Sequence, residues 1–346
     1  MTTCQHVYVG TAGHSAWFSE DAGKGFVHPN SHSGMYLEAR VWCLTAHPAQ
    51  PDRLWAATDM GLFVWHETTA RWQSVASPMQ DVWHIAIDPG DPQHLIAGTR
   101  PAALYRSTDG GASWNLLSVP GLQTFSEVNM GATRVTQILF ERHRSSRVWA
   151  CVEIGGIFLS EDGGLTWQAR DRGLISADVH GMAELHRPDG SRLLLATTNR
   201  GLHESRDDGL NWTFRKIDSP WQYTRAVVPR ADHGGVVFLT NGNGPPGDQG
   251  RLWRSDDWGD TWHPVELPGK VNSTVWSVAT HEADPLSLWA CTNLGQLFNS
   301  TDGGTTWQRL APEFGEIRSL FWRPLPEGIR QQPHSITVRQ IGRAHV

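Results

Sequence analysis

The chain is short of cysteine, of clustered basic charge, of long apolar runs and of helical periodicity, and each shortage removes a class of protein. Its 4 cysteines, Cys4, Cys43, Cys151 and Cys291, stand far apart, and three fall inside strand-like runs (VWCLTA, VWACVE, LWACTN). A thiol in such a run behaves as a small buried hydrophobe, so neither a disulfide framework nor a zinc ligand set is expected. The formal charge is -6, with arginines and lysines scattered rather than grouped. A nucleic-acid partner requires a concentrated basic face and is not expected. No apolar stretch approaches the roughly 20 residues of a membrane helix. The opening MTTCQHVYVGT lacks the basic and apolar regions of an export signal, so the expectation is a cytoplasmic chain without membrane contact. GxSxG, HExxH and a Gly-rich phosphate loop on a strand–helix turn are also missing, and no cofactor or metal site is read from the residues.

What is abundant is turn chemistry and tryptophan: 35 Gly, 20 Pro and 18 Trp in 346 residues. One octapeptide recurs as STDGGASW (107–114), SEDGGLTW (160–167), SRDDGLNW (205–212), SDDWGDTW (255–262) and STDGGTTW (300–307). A sixth copy, SEDAGKGF (19–26), has Phe26 in place of Trp, and a seventh place, VWHETTARWQSV (64–75), keeps only its strands and Trp72. From Ser19 to Ser107 is 88 residues, twice 44, which leaves room for that degenerate unit. Each unit reads as an inner strand, a Pro/Asp/Gly turn, a second and a third strand, the octapeptide and a polar outer strand. Seven such units predict an all-β fold, a seven-bladed β-propeller of four-stranded antiparallel blades.

The chain starts in a second strand (HVYVGT) and ends its repeats on an inner one (EIRSLFWRP), so the C-terminal strand is expected to complete the N-terminal blade and remove the open edges. The octapeptide acids read as turn acceptors: a short Asp takes hydrogen bonds from its own loop, Gly supplies positive φ, and Trp packs the corner. The domain expected is one propeller over 1–340. The last six residues, IGRAHV (341–346), resemble the translation of a common sequencing adapter and are set aside from the fold.

The SxDxGxTW pattern over nearly the whole chain resembles the Asp-box, or BNR-repeat, superfamily, which includes sialidases, xyloglucan-hydrolysing propeller enzymes, sortilin-type receptors and the photosystem II assembly propeller. The resemblance implies the fold and is nearly silent on function, since the boxes lie on the outer rim. No FRIP-like sialidase segment occurs here. Xyloglucan-hydrolysing enzymes of this type set two propellers across a cleft, whereas these residues supply one. The nearest resemblance is to single-propeller bacterial BNR-repeat proteins.

Loops entering the inner strands, and those joining second and third strands, gather on one propeller face. The entrances carry Arg40, Asp81, Arg134, Asp178, Tyr223, Thr274 and Glu316; two residues on stand Trp42, Trp83, Thr136, His180, Arg225, Trp276 and Arg318. Second-strand exits add Asp59, Arg100, Glu153, Asn199, Asn241 and Asn293. Arginine forks match carboxylates and phosphates, so Arg40, Arg100, Arg134, Arg225 and Arg318, with Trp83, His84, Tyr223, Asn241 and Trp276, are candidate ligand contacts. Glu153, Asp178 and His180 are candidate proton-transfer groups. Two longer loops, 118–134 and 240–251, reach the same face.

The leading expectation is a monomeric binding propeller for a small anionic or polar ligand or a short protein segment. A sialidase-like glycosyl hydrolase or lyase on a carbohydrate-like substrate is the alternative, and a protein-assembly scaffold the third. A solvated channel of mutually paired charges fits the same residues.

Overall fold

The computed structural model describes residues 3–28 and 33–326. The adapter-like tail and part of the 28–40 loop lie outside the described residues.

Second strands such as Arg53–Thr58 and Leu288–Thr292 are buried along nearly their whole length. A strand covered on both faces must be apolar at successive positions, which is why runs such as LWAAT and LWACT do not alternate. Six blades contain four antiparallel strands each, with inner strands Val41–Thr45, Val82–Asp88, Arg134–Glu141, Val179–His186, Tyr223–Pro229 and Val275–Ala279. The remaining blade joins Ala16–Ser19 and Thr3–Thr11 to the C-terminal strand Ile317–Pro326, in register from Thr3–Pro326 to Thr11–Ile317. Its fourth strand shrinks to one bridge between Phe18 and Val27. Numbered from the N-terminus, this is blade 1. Ile317–Pro326 packs against the inner strands of both blade 2 and blade 7, which closes the ring as the repeat phase predicts.

The octapeptides are built as expected. In each of the six, the Ser hydroxyl donates to the Asp and accepts from the N–H of the Gly four residues after the Ser, as at Ser300, Asp302 and Gly304 (2.8 and 2.9 Å). The Asp then accepts a backbone N–H four residues on, as Asp302 does from Thr306. These bonds hold Asp109, Asp162 and Asp302 down to about 2; the Ser113 hydroxyl is the largest cause at Asp109 and the Thr306 hydroxyl at Asp302, whereas at Asp162 the turn's hydrogen bonds outweigh a leading burial effect in the opposite direction.

This glycine, four residues after the Ser, also locks blade to blade. At Gly111, φ is +87° and a Cβ would stand 2.5 Å from the Trp55 ring of blade 2; at Gly304, φ is +87° and a Cβ would stand 2.4 Å from Phe238 of blade 6. Gly304→Ala therefore meets both left-handed strain and a clash with a buried ring, and is expected to lose about 2–3 kcal/mol in urea unfolding. An unchanged midpoint would remove the lock.

Blade 2 has no octapeptide, and its joint with blade 1 uses different chemistry. Glu67, fully buried, accepts from the Arg323 guanidinium at 2.8 Å and from the Tyr8 hydroxyl, with His6 Nδ1 at 3.8 Å. Arg323 also donates to the Arg53 carbonyl at 2.8 Å. Burial raises Glu67 to about 7 despite Arg323.

Candidate functional site

Each inner strand carries a register irregularity at the same place. In blades 2 to 7 the pairing slips at Val41/Cys43, Val82/His84, Val135/Gln137, Val179/Gly181, Thr224/Val227 and Val275/Ser277, and in blade 1 it passes from Ser319 to Ile317. The residues stepped over are Trp42, Trp83, Thr136, His180, Arg225 with Ala226, Trp276 and Arg318. A β-bulge releases one residue from the ladder and re-aims its side chain. Repeated seven times around one axis, it turns this column toward the channel.

Six of the seven, all but Trp83, line a cavity of about 220 Å³. Trp42 and Trp83 stack at 4.2 Å with 14° between their planes, and Trp42 Nε1 donates to Asp81 at 2.9 Å. Arg134 lies over Trp83 at 4.3 Å and pairs through Nε and Nη2 with the two carboxylate oxygens of Glu153. Arg225 lies over Trp276 at 4.1 Å, and Arg318, paired with Glu316, reaches the same ring at 4.9 Å. Cation–π contacts of this kind contribute about 0.5–2 kcal/mol each and fix the guanidinium planes. Arg225 is distinguished from its neighbours by having no salt bridge among the described residues.

The groups of the mouth act on one another electrostatically. Asp178 is raised to about 7 by burial first and then by the Glu153 charge, while Arg225 and Arg134 pull it down. His180 is held well below its usual value by burial and by Arg225. Tyr223, packed on the His180 ring at 4.9 Å, is raised by burial to about 12 and stays protonated at neutral pH.

The structure thus brings together Glu153, Asp178, His180, Trp83, Arg134, Tyr223, Arg225, Trp276 and Arg318. It places the others elsewhere. Arg40 and Arg100 are exposed, and neither guanidinium has a salt bridge among the described residues. Asn241 is fully buried and donates to the carbonyls of Trp221 and Tyr223, so it shapes the blade 6 entrance without facing a ligand. His84 lines the cavity, but its Nδ1 accepts the Ile138 N–H at 3.2 Å and burial lowers it to about 4. Of the long loops, 118–134 forms a hairpin pairing Phe125–Ser126 with Gly131–Ala132, and 240–251 meets the blade 7 entrance, where Thr274 N–H donates to the Pro246 carbonyl at 2.9 Å. The inner-strand columns of the sequence predict Asp81, Trp42 and Glu316 at this end of the channel; the bulges themselves leave no signal in composition.

No family model matches the chain. Among curated proteins it is similar to a xyloglucanase of Hypocrea jecorina, 23% identical over 316 residues, covering 75% of this chain and 37% of that protein. It is also similar to the photosystem II assembly protein Ycf48 of Synechococcus sp. (strain JA-2-3B'a(2-13)), 23% identical over 293 residues and covering 72% of this chain and 82% of the relative. The chain spans less than two fifths of the xyloglucanases it matches. Among solved structures, YCF48 bound to D1 peptide superposes with a TM-score of 0.60 at 16% identity over 90% of this chain and 89% of that one. A GH74 xyloglucanase from Xanthomonas campestris gives 0.61 at 18% over 78% and 45%. The chain is accordingly a seven-bladed propeller whose fold is shared with xyloglucanases and with photosystem II assembly factors.

Proposed function

We propose that the protein is a binding propeller whose channel mouth seats an anionic group, with Arg225 as the principal fork. The observation that carries this is a guanidinium held over the Trp276 ring at 4.1 Å with no salt bridge among the described residues, beside Arg318 and near Arg134. A half-buried fork with no direct salt bridge is open to a carboxylate or phosphate that a ligand supplies. The cavity suits a small carboxylate or the end of a larger ligand.

A short protein segment bearing the carboxylate is the second occupant. Apolar side chains stand exposed on the loops around the mouth, including Val128 (86%), Met130 (75%) and Tyr36 (62%), where a peptide would lie. One fold neighbour is described as bound to a D1 peptide. The xyloglucanase relatives favour a carbohydrate as the ligand.

In a thermal-shift screen against sugar acids, phosphates and simple carboxylates, carboxylates are expected to raise Tm, and Arg225→Ala is expected to abolish the shift. Losing a charge-assisted bidentate contact weakens binding by about 1.5–3 kcal/mol, roughly 10- to 150-fold. Undiminished stabilisation of Arg225→Ala would remove the mouth as the site.

A further inference from the structure

His180 and Asp178 form a pair whose proton inventory follows from geometry. His180 Nδ1 lies 2.6 Å from the Thr224 carbonyl oxygen. A carbonyl only accepts, so Nδ1 carries hydrogen and Nε2 of the neutral ring presents its lone pair. Nε2 faces Asp178 Oδ1 at 3.5 Å, and that oxygen is buried with no closer partner. The two fit when the carboxyl carries the proton. Burial acts in the same sense on both groups, raising Asp178 to about 7 and lowering His180. His180 lines the cavity that bears Arg225 and Arg318, and Asp178 stands against its Nε2.

The remaining acids of the mouth are committed. Glu153 is held by Arg134, Glu316 by Arg318, and Asp81 accepts from Trp42. The two-carboxylate routes of inverting and retaining hydrolysis use a second carboxylate free to act on water or on the sugar. Elimination requires neither, only a neutralised substrate carboxylate, a base for the adjacent C–H and an acid for the departing oxygen.

We propose that the mouth catalyses β-elimination on uronate-containing glycosides, with His180 as base, Asp178 as acid and the Arg225–Arg318 pair on the substrate carboxylate. This rests on the anionic-mouth reading above. His180 Nε2 removes the proton from the carbon bearing the carboxylate, and that electron pair becomes the new C=C bond. The C–O bond to the neighbouring sugar breaks, and the departing oxygen takes the Asp178 proton. The result is His180 protonated opposite an Asp178 carboxylate, and transfer of the proton from Nε2 to Oδ1 restores the starting state. No water, oxidant or reductant is consumed.

Because acid and base are neighbours, both protons are handled on one face of the sugar and the elimination is syn. In glucuronate and mannuronate linked through O4, the C5 hydrogen and the O4 substituent lie on the same face; in galacturonate they lie on opposite faces. The enzyme is thus expected to cleave the first two and spare the third.

The test incubates the full chain with oligosaccharides containing glucuronate, mannuronate or galacturonate and follows the ultraviolet absorbance of the conjugated double bond, with thermal shift by glucuronate in parallel. Expected are product from glucuronate or mannuronate substrates, none from galacturonate, and loss of product by at least about 100-fold in Asp178→Asn and in His180→Gln with the thermal shift retained. Stabilisation without unsaturated product would overturn the elimination and leave the binding site standing. Absence of stabilisation by any carboxylate would overturn both. Product from galacturonate at a comparable rate, or full activity in either variant, would overturn the paired assignment of acid and base.

Discussion

A chain ending at Gly315 will lose the cooperative unfolding transition that a chain ending at Pro326 retains. The strand removed carries Ile317, Leu320, Trp322 and Leu325, each no more than 8% exposed. At about 1.5–3 kcal/mol per buried side chain, their contribution is on the order of 10 kcal/mol, against ~5–15 kcal/mol for the net stability of a folded domain. Truncation also leaves the inner edge of Thr3–Thr11 without its ladder and opens blades 2 and 7 to water. Urea unfolding followed by tryptophan fluorescence would show this directly, and coincident curves for the two chains would refute the strand's closing role.

The second large effect lies at the Glu67–Arg323 joint. Arg323→Ala leaves a carboxylate in a site with no exposure, and removing one partner of a buried pair typically costs about 3–5 kcal/mol. The loss is expected to be greater at pH 8 than at pH 5, where Glu67 can take up a proton. The sign follows from the raised value: a carboxyl that titrates near 4.5 when unfolded and at about 7 when folded contributes its full stability below 4.5 and loses it as pH rises through 7, by ~3 kcal/mol. His84, lowered to about 4, acts in the opposite direction, since its contribution is lost as pH falls below 6.5. The whole-chain profile therefore mixes both signs, and the difference between wild type and Glu67→Gln isolates the joint. That difference should shift in favour of Gln between pH 5 and pH 8; a pH-independent difference would mean that Glu67 is ionised throughout.

The fold was legible because its determinants are local and repeated. Ser, Asp, Gly and Trp recur at fixed offsets within one turn, and uninterrupted apolar runs mark strands covered on both faces. Closure by Ile317–Pro326 followed from the phase of the repeat. The mouth was legible in part: the entrance column and the column two residues on converge, as counting predicted, and Arg134, Arg225 and Arg318 meet there. Arg40 and Arg100 share the topology but not the contacts, because a long side chain on an exposed loop is free to point outward. Asn241 was counted as a mouth group, yet a buried amide must satisfy four hydrogen-bonding positions and finds them in its own blade. The Glu67–Arg323 pair joins residues 256 apart, with no periodic signal except a missing octapeptide and an acid at the end of an apolar run.

The glycine locks and the bulged columns fall on different residues. The turns that fasten one blade to the next sit at Gly23, Gly111, Gly164, Gly209, Gly259 and Gly304, each against a side chain of the preceding blade or, for blade 1, of blade 7. The chemistry toward the axis comes instead from seven positions released from the ladder. Durability and selectivity are therefore encoded by separable sets of amino acids, and a lineage could exchange one inward-facing side chain for another while the hoop itself stays intact.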